Sequence, residues 1–265
     1  ATAGDAVEEA IAALTWIRPT HAMDAWDNLL GWGDSDCPAV TAYNNYDRYQ
    51  DECTADSGAY YLMDVQTYRV RDDINEGVYV HDYAYLFAEG LALDPLGGSL
   101  QMGVYLNYTD TEEDGVRAHD LLVYGNLWWS DPVAAGSWLD EPVSVSLDGY
   151  WLTLPGGQAG GVQLFGGAAN YPGVLIDAFS FHDVTLVSAG YDAACEIEPE
   201  GEIDVRAVDG DWYTLAYTGP AFGEPLEAPE DCDGCAEVIW RGQSLGQACP
   251  DLSGLLSWED TPWGL

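Results

Sequence analysis

Residues 78–90 read "VYVHDYAYLFAEG". Large apolar and aromatic side chains recur here at a period of two, which is the spacing of a β-strand with its faces in different surroundings. The same period returns in "AYYLMDVQTYRVR" (59–71), "SLQMGVYLNYTD" (99–110), "VRAHDLLVYGNLWWSD" (116–131), "PVSVSLDGYWLTLP" (142–155), "GVLIDAFSFHDVTLVSAG" (173–190) and "GEIDVRAVDGDWYTLAYTG" (201–219). Turn signals separate these runs: Gly97-Gly98, Asp114-Gly115, Asp148-Gly149 and Asp209-Gly210. Strand follows strand with no helical pattern between them, which excludes a parallel α/β fold. The expectation is a mainly β protein: a large antiparallel sheet, a sandwich or a barrel-like wrap.

Both ends differ from this middle. "DAVEEAIAALTWI" (5–17) carries apolar residues at three- and four-residue spacing, with Asp5 as its N-cap and Pro19 as its stop. Thr20 opens a second helical run through "HAMDAWDNLLGWG" (21–33), giving a helical hairpin whose Trp16, Met23, Trp26 and Leu30 pack on the rest of the protein. At the other end, "WRGQSLG" (240–246) reads as strand, turn, strand, followed by one short helical turn. The division is therefore 1–57 for the helical hairpin and a disulfide loop, 58–218 for the β domain and 219–265 for a disulfide-bonded tail. Without a flexible linker they form one unit.

Of the 265 residues, 46 are acidic and 7 basic, a formal charge of -39, and all the cations are arginines. With 48% hydrophobic and 12% aromatic residues the chain has enough apolar material to fold. The charge repels nucleic acid and anionic membrane surfaces, whose binding needs cationic side chains. Two bland causes account for it: a saline habitat that screens carboxylates, and GC-rich coding that replaces Lys by Arg. The absence of lysine rules out a Walker A loop, a pyridoxal Schiff base and a lysine nucleophile. The glycine-rich run "PGGQAGGVQLFGGAANYPG" (155–173) consequently marks turns and close backbone approaches, not a phosphate cradle.

Six cysteines stand at 37, 53, 195, 232, 235 and 249. They allow fifteen connectivities. Cys37–Cys53 is the natural local bridge, and Cys195–Cys232 with Cys235–Cys249 is the favoured division of the rest. A structural zinc site is the alternative, but only Cys232-x-x-Cys235 supplies a close thiol pair. Disulfides place the chain in an oxidising compartment: periplasm, cell surface or medium. The first residue is Ala1, and no signal peptide or long apolar run is present, which fits a processed exported chain or a trimmed one.

Three of the four histidines precede an aspartate: His81-Asp82, His119-Asp120 and His182-Asp183. Neighbouring side chains of a strand point to opposite faces, so a His and its Asp do not enter one site together. Were His81, His119 and His182 to converge, they would bind zinc with one position left for water, the basis of a metal-dependent hydrolase. The simpler reading is a weak repeat. A second candidate is Asp110, Glu112 and Asp114 before Gly115, close to the D-x-[DN]-x-[DN]-G calcium loop. It departs from that loop at Glu112 and at Leu121, where an EF-hand has its bidentate Glu. "PEDCDGC" (229–235) is a weaker case of the same kind. Nucleophilic motifs fail: "GDSD" (33–36) lacks the late Asp-x-x-His of SGNH esterases, and "ADSGA" (55–59) is a fragment of the serine-protease block.

Aromatics are the remaining signal. Trp128, Trp129, Trp151, Trp212 and Tyr213 lie along strands, where an exposed row stacks sugar rings or forms a protein interface, and a buried one is core. The segment "DGCAEVIWRGQSLGQACPDLSGLLSW" (233–258), through its D-G-C…W-x-G-x-x-L-G-x-x-C order, resembles the ends of uncharacterised exported lipoproteins from GC-rich, salt-tolerant bacteria. That resemblance implies export and surface attachment and no activity. The sequence thus points to an exported, non-catalytic structural or interaction protein of the cell surface or an extracellular assembly, joined to protein partners or to itself. Its rivals are a calcium-dependent carbohydrate-binding module and the three-histidine hydrolase.

Overall fold

Helix α1 (Ala3–Leu14) begins where Thr2 and Asp5 exchange hydrogen bonds, the Thr2 N–H to the Asp5 carboxylate at 2.6 Å and the Asp5 N–H to Thr2 Oγ1 at 3.2 Å. Thr2 is therefore the N-cap and Asp5 the reciprocal partner three residues on, because the hydroxyl reaches the orphan N–H that an Asp5 cap would leave unmet. The computed structural model describes residues 2–14, 26–75, 78–96, 99–130, 143–188, 195, 197–220 and 232–256. Residues 26–30 are helical as expected, whereas Trp16, Met23 and the junction of the expected helical hairpin lie outside the described residues.

Among the described residues thirteen strands follow: β1 (Val40–Ala42), β2 (Asp47–Thr54), β3 (Tyr60–Asn75), β4 (Val78–Leu93), β5 (Ser99–Glu113), β6 (Val116–Ser130), β7 (Val143–Leu154), β8 (Gln158–Ala169), β9 (Ile176–Val187), β10 (Glu200–Ala207), β11 (Trp212–Thr218), β12 (Ala236–Trp240) and β13 (Gln243–Ala248). A short helix, α2 (Ser253–Leu256), ends the described chain. Each strand pairs antiparallel with the next, so the sheet is one continuous meander in sequence order. It is not closed, and among the described residues β1 and β13 are its outermost strands. The sheet draws strands from all three sequence segments, since β1 and β2 precede residue 58 and β12 and β13 follow residue 219.

The period of two sorts side chains cleanly. Tyr61, Met63 and Val65 of β3, Ala84, Leu86 and Ala88 of β4, and Val104, Leu106 and Tyr108 of β5 are buried on one face. Helical segments cover that face. Trp26 is fully buried and meets the Tyr49 ring edge-on at 5.3 Å, Tyr61 donates its hydroxyl to the Leu29 carbonyl, and Trp151 Nε1 donates to the Leu255 carbonyl at 3.1 Å. Burial pushes the Tyr61 hydroxyl up to about 12, which keeps it a donor. Glu9 of α1 holds the turn into β9 by accepting the N–H groups of Val174 and Leu175 at 2.5 and 2.7 Å. Fully burying a side chain such as Leu86 or Phe181 contributes roughly 2–3 kcal/mol, so this inner face carries the fold.

The disulfides are Cys37–Cys53, Cys195–Cys232 and Cys235–Cys249, the expected pairing. Two of them clip the hairpins at the two edges of the sheet, β1–β2 and β12–β13, where pairing is one-sided and fraying easiest. Asp114-Gly115 and Asp209-Gly210 are turns as expected, and Gly97-Gly98 lies outside the described residues. Asp148-Gly149 is not a turn: both residues sit inside β7. Gly149 is needed there because a Cβ would stand 2.4 Å from the Trp151 ring. The glycine run 155–173 is turn only at 155–157; the rest is mostly β8, where Gly167 approaches Phe179 so closely that a Cβ would lie 1.9 Å from its carbonyl oxygen.

Candidate binding face

The face of the sheet turned away from the helices is built in rows. In antiparallel strands directly opposed residues share a face. One row runs Tyr83, Thr109, Asp120, Tyr150, Gln163, Thr185 through six successive strands, β4 to β9. The next runs Tyr85, Asn107, Leu122, Asp148, Phe165, and the third Phe87, Tyr105, Tyr124, Ser146. Five strand spacings of ~4.8 Å make the first row about 24 Å long.

Three tyrosines of these rows, Tyr85, Tyr105 and Tyr124, meet as a comb, with the Tyr83–Tyr68 pair beside it. Tyr85 touches Tyr105 edge-to-face at 5.4 Å, Tyr105 stacks on Tyr124 at 4.9 Å and 18°, and Tyr83 contacts Tyr68 at 5.6 Å. The Tyr105–Tyr124 separation equals the strand spacing, so the two rings stand up from the sheet and cover each other's faces, leaving edges and hydroxyls outward. Burial, followed by the neighbouring Tyr105, raises the Tyr83 and Tyr85 hydroxyls above their ordinary value. Around the comb, Leu122, Tyr124, Tyr150 and Phe165 are exposed, Phe165 at 56%.

The rows end in a groove of about 750 Å³ whose floor includes Val116, Ala118, Leu152 and Gly161, with Glu113 and Asp114 at its rim. Asp120 stands between groove and comb, directly opposite Tyr150. Loss of water around it, and then the charge of Asp148, raise its pKa above the ordinary carboxylate value. Among the described residues no cation or hydrogen-bond donor reaches the Asp120 carboxylate.

The residues singled out in the sequence fall elsewhere. His119 is buried on the inner face, with Nδ1 3.1 Å from the Tyr108 hydroxyl and Nε2 3.3 Å from Thr153 Oγ1. His182 lies on the opposite face three strands away, Nε2 3.0 Å from the Asp204 carboxylate. His81 belongs to β4 at a register shift between Val80 and Asp82, and its side chain lies outside the described ones. His119 and His182 face opposite ways, so the three-histidine site is not formed. The shared His-Asp order repeats along the chain without repeating in orientation: His119 points inward and His182 outward.

The acidic loop is not a calcium loop either. Asp110 is 1% exposed on the inner face and is held by both Arg117 Nε, at 3.3 Å, and Arg117 Nη2, with His119 Nδ1 3.6 Å away. Glu112 is half-buried on its strand, and Asp114 is exposed at the hairpin tip with a φ of 51°. The guanidinium already satisfies the carboxylate a cation would need. Among the described residues no three His, Cys, Asp or Glu side chains are placed to hold a metal. Asp233 and Cys235 belong to the tail's backbone turn, while Glu230 and Asp231 lie outside the described residues.

Of the aromatic candidates, Trp151 is core, not surface, because odd positions of β7 face inward. Trp212 is exposed, and Tyr213 lines a cavity of about 520 Å³ beside α1. The backbones of Trp128 and Trp129 pair with Gln101 and Leu100; their side chains lie outside the described ones. Sequence reading followed tryptophan and missed the tyrosine comb. Its signal is Tyr83-x-Tyr85-x-Phe87 alternating with Ala84, Leu86 and Ala88: aromatic on one face, aliphatic on the other.

Fold and face together define an open antiparallel β-protein, clipped by disulfides at its edges, with one face under helices and the other aromatic and accessible. No family model, curated protein or solved structure matches the chain. None of the described helices is long and apolar enough to cross a membrane.

Proposed function

We propose that this is an exported, non-catalytic interaction protein of the cell surface or an extracellular assembly, docking its partner on the outer face of β4 to β8. The observation that carries the reading is the Tyr85–Tyr105–Tyr124 comb, flanked by exposed Leu122, Tyr150 and Phe165. A contiguous aromatic and aliphatic surface of this kind marks a contact site. Three disulfides support an oxidising location. The charge of -39 fits a saline exterior. Carbohydrate binding is the weaker reading, since Tyr105 and Tyr124 each spend one ring face on the other instead of lying flat as a platform for a sugar.

The test is tyrosine-directed labelling of the exported protein where it resides, compared with the purified chain. Tyr124 and Tyr150 are expected to react in the purified protein and to be protected in place. Equal reactivity in both settings would overturn the reading.

A further inference from the structure

We propose that the occupant of this face is a basic polypeptide segment, lying across the strands with lysine or arginine side chains at Asp120 and Asp148 and apolar side chains in the groove. The inference rests on the docking role of the outer face and names the chemistry of the partner.

Three observations meet here. The first is charge. Asp120 and Asp148 lie diagonally across β6 and β7, about 7 Å apart, and the Asp148 charge raises the cost of ionising Asp120. Asp120 has no cation among the described residues, whereas Asp110, Asp64, Asp177 and Asp211 are each paired with an arginine. A cationic side chain set between Asp120 and Asp148 relieves both. The second is the aromatic surround. Tyr150 stands directly beside Asp120 in its own row and Tyr83 one strand beyond Thr109 on the other side, and ring faces or hydroxyls near a carboxylate suit an ammonium or guanidinium.

The third is extent. The groove of about 750 Å³ opens into the rows and bears Glu113 and Asp114 on its rim. Groove and comb lie on one face crossed by a row about 24 Å long, the length of an extended segment and far beyond a single small molecule. A second copy of the chain is disfavoured, because each copy carries -39.

The probe is a dye-labelled peptide of alternating Lys and Leu, with Glu/Leu and Lys/Ser peptides as comparisons, read by fluorescence anisotropy at about 0.15 M salt, where long-range attraction is largely screened. The wild type is expected to bind Lys/Leu more tightly than either comparison. Asp120→Asn with Asp148→Asn should weaken it about tenfold. Tyr105→Ser with Tyr124→Ser should weaken it as well, while keeping the melting temperature within a few degrees of wild type. Removing two carboxylates elsewhere, Asp56→Asn with Glu237→Gln, should change it less than about twofold. Equal losses for the face pair and the remote pair would reduce the binding to general polyanion attraction and overturn the proposal, as would no preference for Lys/Leu. Tyrosines protected in the exported protein, together with no peptide binding, would sink the basic partner and leave the docking role standing. Unprotected tyrosines would remove the docking role itself.

Discussion

Glu198 accepts the backbone N–H of Asp233 at 2.9 Å, tying the strand that opens β10 to the loop between two disulfides. The same Oε2 takes the Gly234 N–H at 3.2 Å, while Oε1 takes the N–H and hydroxyl of Thr218. The carboxylate is only 2% exposed. Four donors on a buried carboxylate demand acceptors on both oxygens, which glutamine lacks. Glu198→Gln is therefore expected to cost roughly 2–4 kcal/mol by turning an NH₂ group toward donors, measured as a lowered urea midpoint under non-reducing conditions. An unchanged midpoint would show the loop held by its cystines alone.

The three bridges should not be equal. Cys195–Cys232 spans 37 residues, against 16 for Cys37–Cys53 and 14 for Cys235–Cys249. Loop-closure entropy gives about 4 kcal/mol for the long loop and about 3 for each short one. Paired Cys→Ala variants should rank accordingly in thermal unfolding. The edge clips add a second effect: losing Cys235–Cys249 should speed amide exchange in β13 before β10, because β13 is the outermost described strand and β10 lies inside the sheet.

The strands were legible because one face is buried throughout, and burial on one side writes period two into the sequence. The pairing of cysteines was legible from proximity along the chain. Asp148-Gly149 misled because an Asp-Gly pair signals a hairpin only when chain reversal needs positive φ; here the glycine makes room for the Trp151 ring. The candidate site was less readable. A histidine or aspartate in a strand has a fifty-fifty choice of face, and only register decides it: His119 fell inward and His182 outward. Gly149→Ala tests that reading. It should destabilise by about 1–3 kcal/mol through overpacking, and Trp151→Leu in the same chain should recover part of the loss.

Asp110 and Arg117 set the expected response to chelation. The carboxylate is buried and already neutralised by the guanidinium. EDTA should move the melting temperature by less than about 1 °C, below the ~2–4 °C that 1 kcal/mol is worth in a chain of this size. Arg117→Ala should cost about 1.5–3 kcal/mol, since it removes a two-pronged, charge-assisted hydrogen bond to a buried carboxylate. A large EDTA shift reversed by calcium would mean the hairpin holds a cation after all.

Asp120 is expected to make stability depend on pH. Its folded pKa lies above the 3.8 of the free carboxyl, because water is withdrawn from it and Asp148 is near. Between the unfolded and folded values the native state binds more protons, so stability falls as pH rises through that window. Above it Asp120 is ionised in both states, and the native form carries the full penalty. Below about 3.8 it is protonated in both, and the penalty vanishes. Asp120→Asn should therefore raise the melting temperature at pH 7 in low salt, with a smaller gain at higher salt and little gain at pH 3.5. Thermal scans of wild type and variant across pH 3.5 to 7 measure it. A stabilising Asp120→Asn that also weakens Lys/Leu peptide binding would show a carboxylate held at a cost to folding for the sake of its partner. A destabilising effect at pH 7 would mean that Asp120 already has its cation.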